Sequence, residues 1–310
     1  MDDAQIPAWW ARLGLPGLID IHTHFMPKPV MDAVWRYFDN AAEHYGMAWP
    51  VYYRTDEARR LELLRSFGVR RFTSLLYPHK PGMAAGLNEW ARSFAAATPD
   101  CAMTGTFFPE PSAADYVRTA LEAGTQVFKV HVQVGGYDPR DAQLRDVWGQ
   151  LAEAGVAVVV HCGSGPIPGA HTGPGPFGAV LADHPSLTAV IAHCGMPEFD
   201  EHLDLVERYA NVHVDTTMVG TTFTNAFSPV PPAAVQRLGQ LQDRVVLGTD
   251  FPNIPYAYCE QLDALEAFGL GDAWLRDVCW TNGARLLRVG TDAAPPVPAN
   301  SDPAGGSITG

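Results

Sequence analysis

Five side chains able to hold a metal or move a proton stand where short apolar runs stop. The run Leu18-Ile19-Asp20-Ile21 leads into His22-Thr23-His24. On a β-strand, histidines two apart share one face. Residues 156–160 are an unbroken apolar run that stops at His161, residues 189–192 stop at His193, and residues 245–249 stop at Asp250. Two neutral imidazoles aimed at one point make half of a metal site, and zinc is the ion that most often takes them. One His-x-His pair is a weak signal. The same ending on four separate runs is hard to attribute to core packing, because buried imidazoles and carboxylates need partners.

These endings need a scaffold that gathers strand ends. From residue 69 onward, strand-like runs alternate with amphipathic helical stretches, the pattern of βαβ units around a parallel sheet. Strands are expected at 71–76, 102–108, 126–133, 156–161, 189–193, 213–217 and 245–250, with helices between them, for example 115–123 and 143–153. With the first strand this makes eight units, which predicts an α/β fold of the (β/α)8 TIM-barrel type, whose functional face is the C-terminal end of the strands. No Gly-x-Gly-x-x-Gly follows an early strand, which counts against a doubly wound sheet. One barrel domain is expected over residues 1–289. Residues 27–67 form an aromatic-rich excursion after strand 1 that would lie over the barrel mouth. Residues 290–310, rich in Pro, Ala, Gly, Ser and Asp, form a tail too poor in apolar residues to order itself.

Alternation along 126–133 places Lys129, His131 and Gln133 on one face with Val127, and Phe128, Val130 and Val132 on the other. The polar face should point into the barrel, where a lysine is costly unless paired. Lys129 could be a carbamylated metal bridge, a cation for a substrate carboxylate, or a structural ion-pair partner. The last two are favoured, because nothing in the sequence shows a second metal. His79 and Lys80, after strand 2, also fall on the functional face. Lys28 and Arg54 are further candidate cations for an acidic substrate.

The chain has 310 residues, 47% of them hydrophobic and 18% charged, and a net charge of −13. This composition excludes a disordered protein, and the negative balance counts against nucleic acid or an anionic membrane as partner. Five cysteines without a Cys-x-x-Cys pair, no signal peptide and no apolar run near the roughly 20 residues of a membrane span lead to an expectation of reduced thiols and a cytoplasmic setting.

The fragments IDIHTHFMP, VVVHCG, AVIAHCGMPEF, VHVDTT, LGTDFP and TNGARLL together resemble the amidohydrolase superfamily, in its amidohydrolase-2 branch, which includes the aminocarboxymuconate-semialdehyde decarboxylase-type enzymes. The resemblance runs from about residue 18 to 288 and is loosest over 27–67. It implies that His22, His24, His161 and Asp250 hold one divalent metal, usually zinc with manganese as the alternative. It implies that His193 stands beside the activated water as base or electrostatic partner, and that Asp250 also takes a proton. Lys129 falls where binuclear relatives carry a carbamylated lysine. Lys129, His131 and His79 are the expected substrate contacts, and a homodimer is the implied assembly. Asp215 ends strand 7, where a plain turn or cap residue is an equally good reading.

The leading functional expectation is a metal-dependent hydrolase of a small organic molecule. The alternative is a non-oxidative decarboxylase on the same metal site. A catalytically inactive barrel is the third, less favoured because the ligand set is intact.

Overall fold

The computed structural model describes residues 1–289; the expected tail at 290–310 lies outside the described residues. Among these are nine short strands: β1 Leu18–Asp20, β2 Val69–Thr73, β3 Cys101–Ala102, β4 Thr104–Thr106, β5 Val127–His131, β6 Ala157–His161, β7 Ala189–Ile191, β8 Val212–Asp215 and β9 Val245–Val246. All pair in parallel, in the orders β1-β2-β3 and β4-β5-β6-β7-β8-β9. β3 and β4 are two halves of one strand interrupted at Met103. The circuit closes where the Ile21 N–H donates to the Leu247 carbonyl (3.0 Å) and the Asp250 N–H to the His22 carbonyl (2.8 Å). The result is the expected (β/α)8 barrel, with helices such as Ala113–Glu122 and Arg145–Ala154 as its outer layer.

Alternation decides which side chains fill the barrel. Val127 from β5 and Ala157 and Val159 from β6 join Ile19, Ile21, Val190 and Val246 in an inner cluster. Phe128, Val130, Val158 and Val160 join the larger cluster between strands and helices. Lys129, His131 and His161 share the alternation of the inner set and so project into the barrel above it. The β5–β6 register pairs His131 directly with His161, and their rings stack with centroids 3.8 Å apart.

Several strands stop earlier than expected. β7 ends at Ile191 because His193 and Cys194 adopt left-handed backbone (φ 56° and 50°). β9 ends at Val246, ahead of Gly248 and an Asp250 at φ 72°. β5 ends at His131 and passes into a helical turn, Val132–Gly135, so Gln133 does not continue the Lys129–His131 face. Its side chain instead donates to the Ile167 carbonyl (2.8 Å). Left-handed backbone costs a residue with a β-carbon on the order of 1–3 kcal/mol, and such strain collects at functional sites. Here His193 and Asp250 are two of the five such residues among those described, with Cys194, Met218 and Arg288.

The excursion carries the helices Lys28–Asp39, Ala41–Tyr45 and Glu57–Ser66. Pro29 in the first turn of Lys28–Asp39 has no N–H to leave unpaired, which suits it to a helix start. Apolar residues at 30, 31, 34, 35 and 38 give this helix one face. Trp35 on that face donates its indole N–H to Asn253 Oδ1 (3.0 Å), and Trp49 donates to the Asn253 carbonyl (2.7 Å). The Asn253 N–H in turn meets the Asp250 carbonyl (2.8 Å). Two indoles therefore fasten the excursion to the turn that carries Asp250. Arg60 lies over the rings of Phe25 and Trp35, 5.4 and 5.3 Å from their centroids, and holds the helix Glu57–Ser66 against the same body. No helix among the described residues is long and apolar enough to cross a membrane.

Candidate functional site

The strand ends bring His22, His24 and Asp250 together, with one ligand-competent atom of each lying within 4.8 Å of the others. His24 Nε2 is 2.7 Å and His22 Nε2 3.4 Å from Asp250 Oδ1. The opposite ring nitrogens fix the tautomers. His22 Nδ1 lies 2.8 Å from Asp215 Oδ2, and His24 Nδ1 faces the Leu75 carbonyl. Both partners can only accept, so each Nδ1 carries the proton and each Nε2 turns a lone pair inward. Three electron-pair donors thus converge, and among the described residues the one hydrogen-bond donor near them is Lys129 Nζ, 3.3 Å from His22 Nε2. A 2.7 Å contact between His24 Nε2 and a carboxylate oxygen requires a cation or a further proton between them. The donor set, two imidazoles and one carboxylate, fits a divalent ion. Burial drives the His22 ring down to about 3, which keeps it neutral and able to coordinate. Burial alone would raise the Asp250 carboxyl, but positive charge at the His24 Nε2 contact, from an added proton or a cation, holds it well below the usual carboxylate range.

Asp215 does far more than cap a turn. It is fully buried and accepts from three N–H groups: His22 Nδ1 on one oxygen, and the backbone of His193 (2.8 Å) and Thr217 (3.1 Å) on the other. It therefore orients a metal-competent histidine and pins the strained turn at His193. VHVDTT held the clue, an aspartate at an inward strand end, but a lone strand-end aspartate also suits a cap. Replacing Asp215 by Asn turns one acceptor oxygen into an NH2 that must face a donor. We expect Asp215→Asn to weaken metal affinity about 10- to 100-fold, measured by competition with a chromogenic chelator, with the circular dichroism spectrum unchanged.

His193 lines the same cavity, its ring centroid 5.1 Å from that of His22 and 4.6 Å from that of His161. Its Nδ1 lies 3.1 Å from the Thr217 carbonyl, so that nitrogen donates and Nε2 is left to accept a proton. Burial lowers its affinity for that proton. Gly195 lets the turn close: it sits at φ 72°, and a β-carbon there would lie 2.2 Å from His202 Cγ.

His161 stands outside the three-residue cluster. Its Nε2 is 3.2 Å from the Gly165 carbonyl, and its ring is held against His131. Lys129 is fully buried on the floor, with Nζ 3.3 Å from His22 Nε2. Burial pushes its ammonium down to about 8. His131 lies beside Tyr77, and an exposed His79 is on the rim; both line the cavity. Lys28 bonds Asp32, Arg54 bonds Asp39, and neither these nor Lys80 line the cavity. His171 pairs loosely with Asp138 (3.6 Å) outside it. Cys162 and Cys194 are buried, and burial pushes both thiols up, Cys162 to about 12, which makes neither a ready nucleophile.

One buried carboxyl was not singled out in the sequence. Asp20 accepts from the His22 N–H (3.1 Å), the Thr249 hydroxyl (2.6 Å) and the Tyr258 hydroxyl (3.0 Å), and burial pushes it up to about 7. It ties the His22 segment to the Asp250 segment.

The amidohydrolase family model matches residues 19–289. This chain belongs to the amidohydrolase family. No protein with a curated description matches it by sequence. Solved structures share the fold of this amidohydrolase. An uncharacterised TIM-barrel protein from Bordetella bronchiseptica superposes with a TM-score of 0.71 at 18% identity, covering 90% of this chain and 99% of that one. A 5-carboxyvanillate decarboxylase from Novosphingobium aromaticivorans, solved with bound manganese, gives 0.60 at 17%, covering 89% and 99%. A probable 2-pyrone-4,6-dicarboxylic acid hydrolase from Acinetobacter baumannii gives 0.56 at 12%, covering 88% and 99%. At these identities the likeness is one of fold. The same fold thus carries a decarboxylase and a probable hydrolase in those proteins.

Proposed function

We propose that this amidohydrolase is a metal-dependent hydrolase that cleaves an amide, ester, lactone or related bond in a small organic substrate. The observation that carries this reading is the convergence of His22, His24 and Asp250, with His193 beside them presenting a free Nε2. A divalent ion held by those three residues, zinc in the first instance and manganese as the alternative, supplies Lewis acidity and lowers the pKa of a coordinated water toward about 7. His161 as a fourth ligand would have to give up its contact with the Gly165 carbonyl. In this reading His193 takes a proton at Nε2 while its Nδ1–H stays on the Thr217 carbonyl, so the ring does not turn during transfer. Asp250 keeps a second carboxylate oxygen to accept a proton on the open side. Lys129 supplies a fixed positive charge on the floor where negative charge develops.

A second reading, non-oxidative decarboxylation, is supported by Lys129, a buried cation able to meet a carboxylate, and by the decarboxylase among the fold neighbours. Hydrolysis is preferred because, among the described residues, Lys129 is the one lysine or arginine lining the cavity.

The test is a metal-stripped protein reloaded with zinc or with manganese and offered aryl esters, lactones and aromatic acids. Reloading is expected to restore proton release from the neutral substrates. Carbon dioxide release from the acids, without proton release from the esters, would transfer the assignment to the second reading.

A further inference from the structure

We infer that the part of the substrate away from the reacting bond is an uncharged, apolar group of aryl size. The inference rests on the reading above only in taking the three-residue cluster as the reacting end. The cavity over that cluster holds about 660 Å³, within the range of pockets that enclose a whole small molecule. Val34 and Phe38 of the excursion form one wall, and Met218 and Phe227 face the cavity from elsewhere in the chain. The rim adds hydrophobic surface beside the exposed His79: Tyr37 and Val134 line the cavity and are 45% and 43% exposed. Those two exposures place hydrophobic surface in water at the entrance, where an apolar ligand would cover it.

Charge settles the rest. Arg60, the buried guanidinium of the excursion, lies over Phe25 and Trp35 and does not line the cavity. Lys129 touches His22 at the floor and cannot also serve the upper wall. Among the described residues, His79 is the one other basic group toward the rim, and it is exposed. A second carboxylate on the substrate would have to leave water for walls where Tyr45, Tyr77 and Asn253 offer polar groups among Val, Phe and Met but no fixed counter-charge, a large desolvation cost. A ring enters the same walls favourably and stacks on their aromatic faces.

Three hydroxamic acids test this on the zinc-loaded protein, read by tryptophan fluorescence: acetohydroxamic acid, naphthohydroxamic acid, and the naphthyl compound bearing a carboxylate on its far ring. The neutral naphthyl compound is expected to bind at least about tenfold tighter than the acetyl compound, and the added carboxylate to cancel most of that gain. Equal affinity of the acetyl and neutral naphthyl compounds, or tighter binding of the carboxylated one, overturns the inference. Neutral naphthamide, which has no chelating group, is titrated into the metal-stripped protein in parallel. If naphthamide binds there while no hydroxamate responds to zinc, the metal reading falls and the apolar-substrate inference stands. If hydroxamates respond to zinc but naphthamide and the naphthyl group gain nothing, the inference falls and the metal reading stands.

Discussion

Asp250→Asn is expected to lose its bound metal and its turnover together. Asp250 contributes the single negative charge among the three converging groups, and its Oδ1 lies within 3.4 Å of both imidazole Nε2 atoms. An amide there is a poorer donor to a divalent ion, and in one of its two orientations it presents N–H to the ion. Loss of a group that merely orients a ligand costs about 10- to 100-fold in affinity, so loss of the carboxylate ligand itself should exceed about 100-fold. Metal content after dialysis, measured by mass spectrometry beside the parent protein, checks it. Full retention of metal by a folded Asp250→Asn protein would place the ion elsewhere.

His193→Asn should behave in the opposite way, keeping the metal and losing the rate. The imidazole is outside the three-residue cluster, its Nδ1 is committed to the Thr217 carbonyl, and its backbone N–H is held by Asp215. Asparagine suits a left-handed backbone such as the φ of 56° found here, so the turn should survive. What goes is the proton-accepting Nε2, a loss of about 100- to 10,000-fold in turnover. A pre-steady-state assay at saturating substrate, with metal content measured on the same sample, separates the two effects. If His193→Asn released the metal, His193 would be a ligand and not a base.

The strand ends were legible because the polypeptide announces them: an unbroken apolar run must stop where the barrel interior becomes polar, and it stops at His161, His193 and Asp250. Lys129 and His131 were legible from two-residue alternation alone. Gln133 was not, because Gly135 and Gly136 permit a helical turn that breaks the alternation after His131. The place of His161 was hidden as well. Its type and position suit a ligand, but its direction depends on the Gly165 carbonyl, in a Gly/Pro-rich loop with no periodicity to read. Asp215 and Asp20 were hard to weigh, since a buried carboxylate is recognised by the N–H and O–H groups around it, and those come from distant segments. The excursion was least readable. Trp35 and Trp49 looked like packing, and their partner Asn253 lies more than 200 positions further along.

That pair of indoles bears on how the enzyme could be re-engineered. Because Trp35 and Trp49 both grip Asn253, and Asn253 grips the backbone of Asp250, the wall that contacts a ligand and the residue that would grip the ion belong to one mechanical unit. Grafting a foreign segment over 27–67 to change selectivity would also detach a brace of Asp250. Libraries that vary Val34, Tyr37 and Phe38 while keeping both indoles can retune what enters without loosening what reacts.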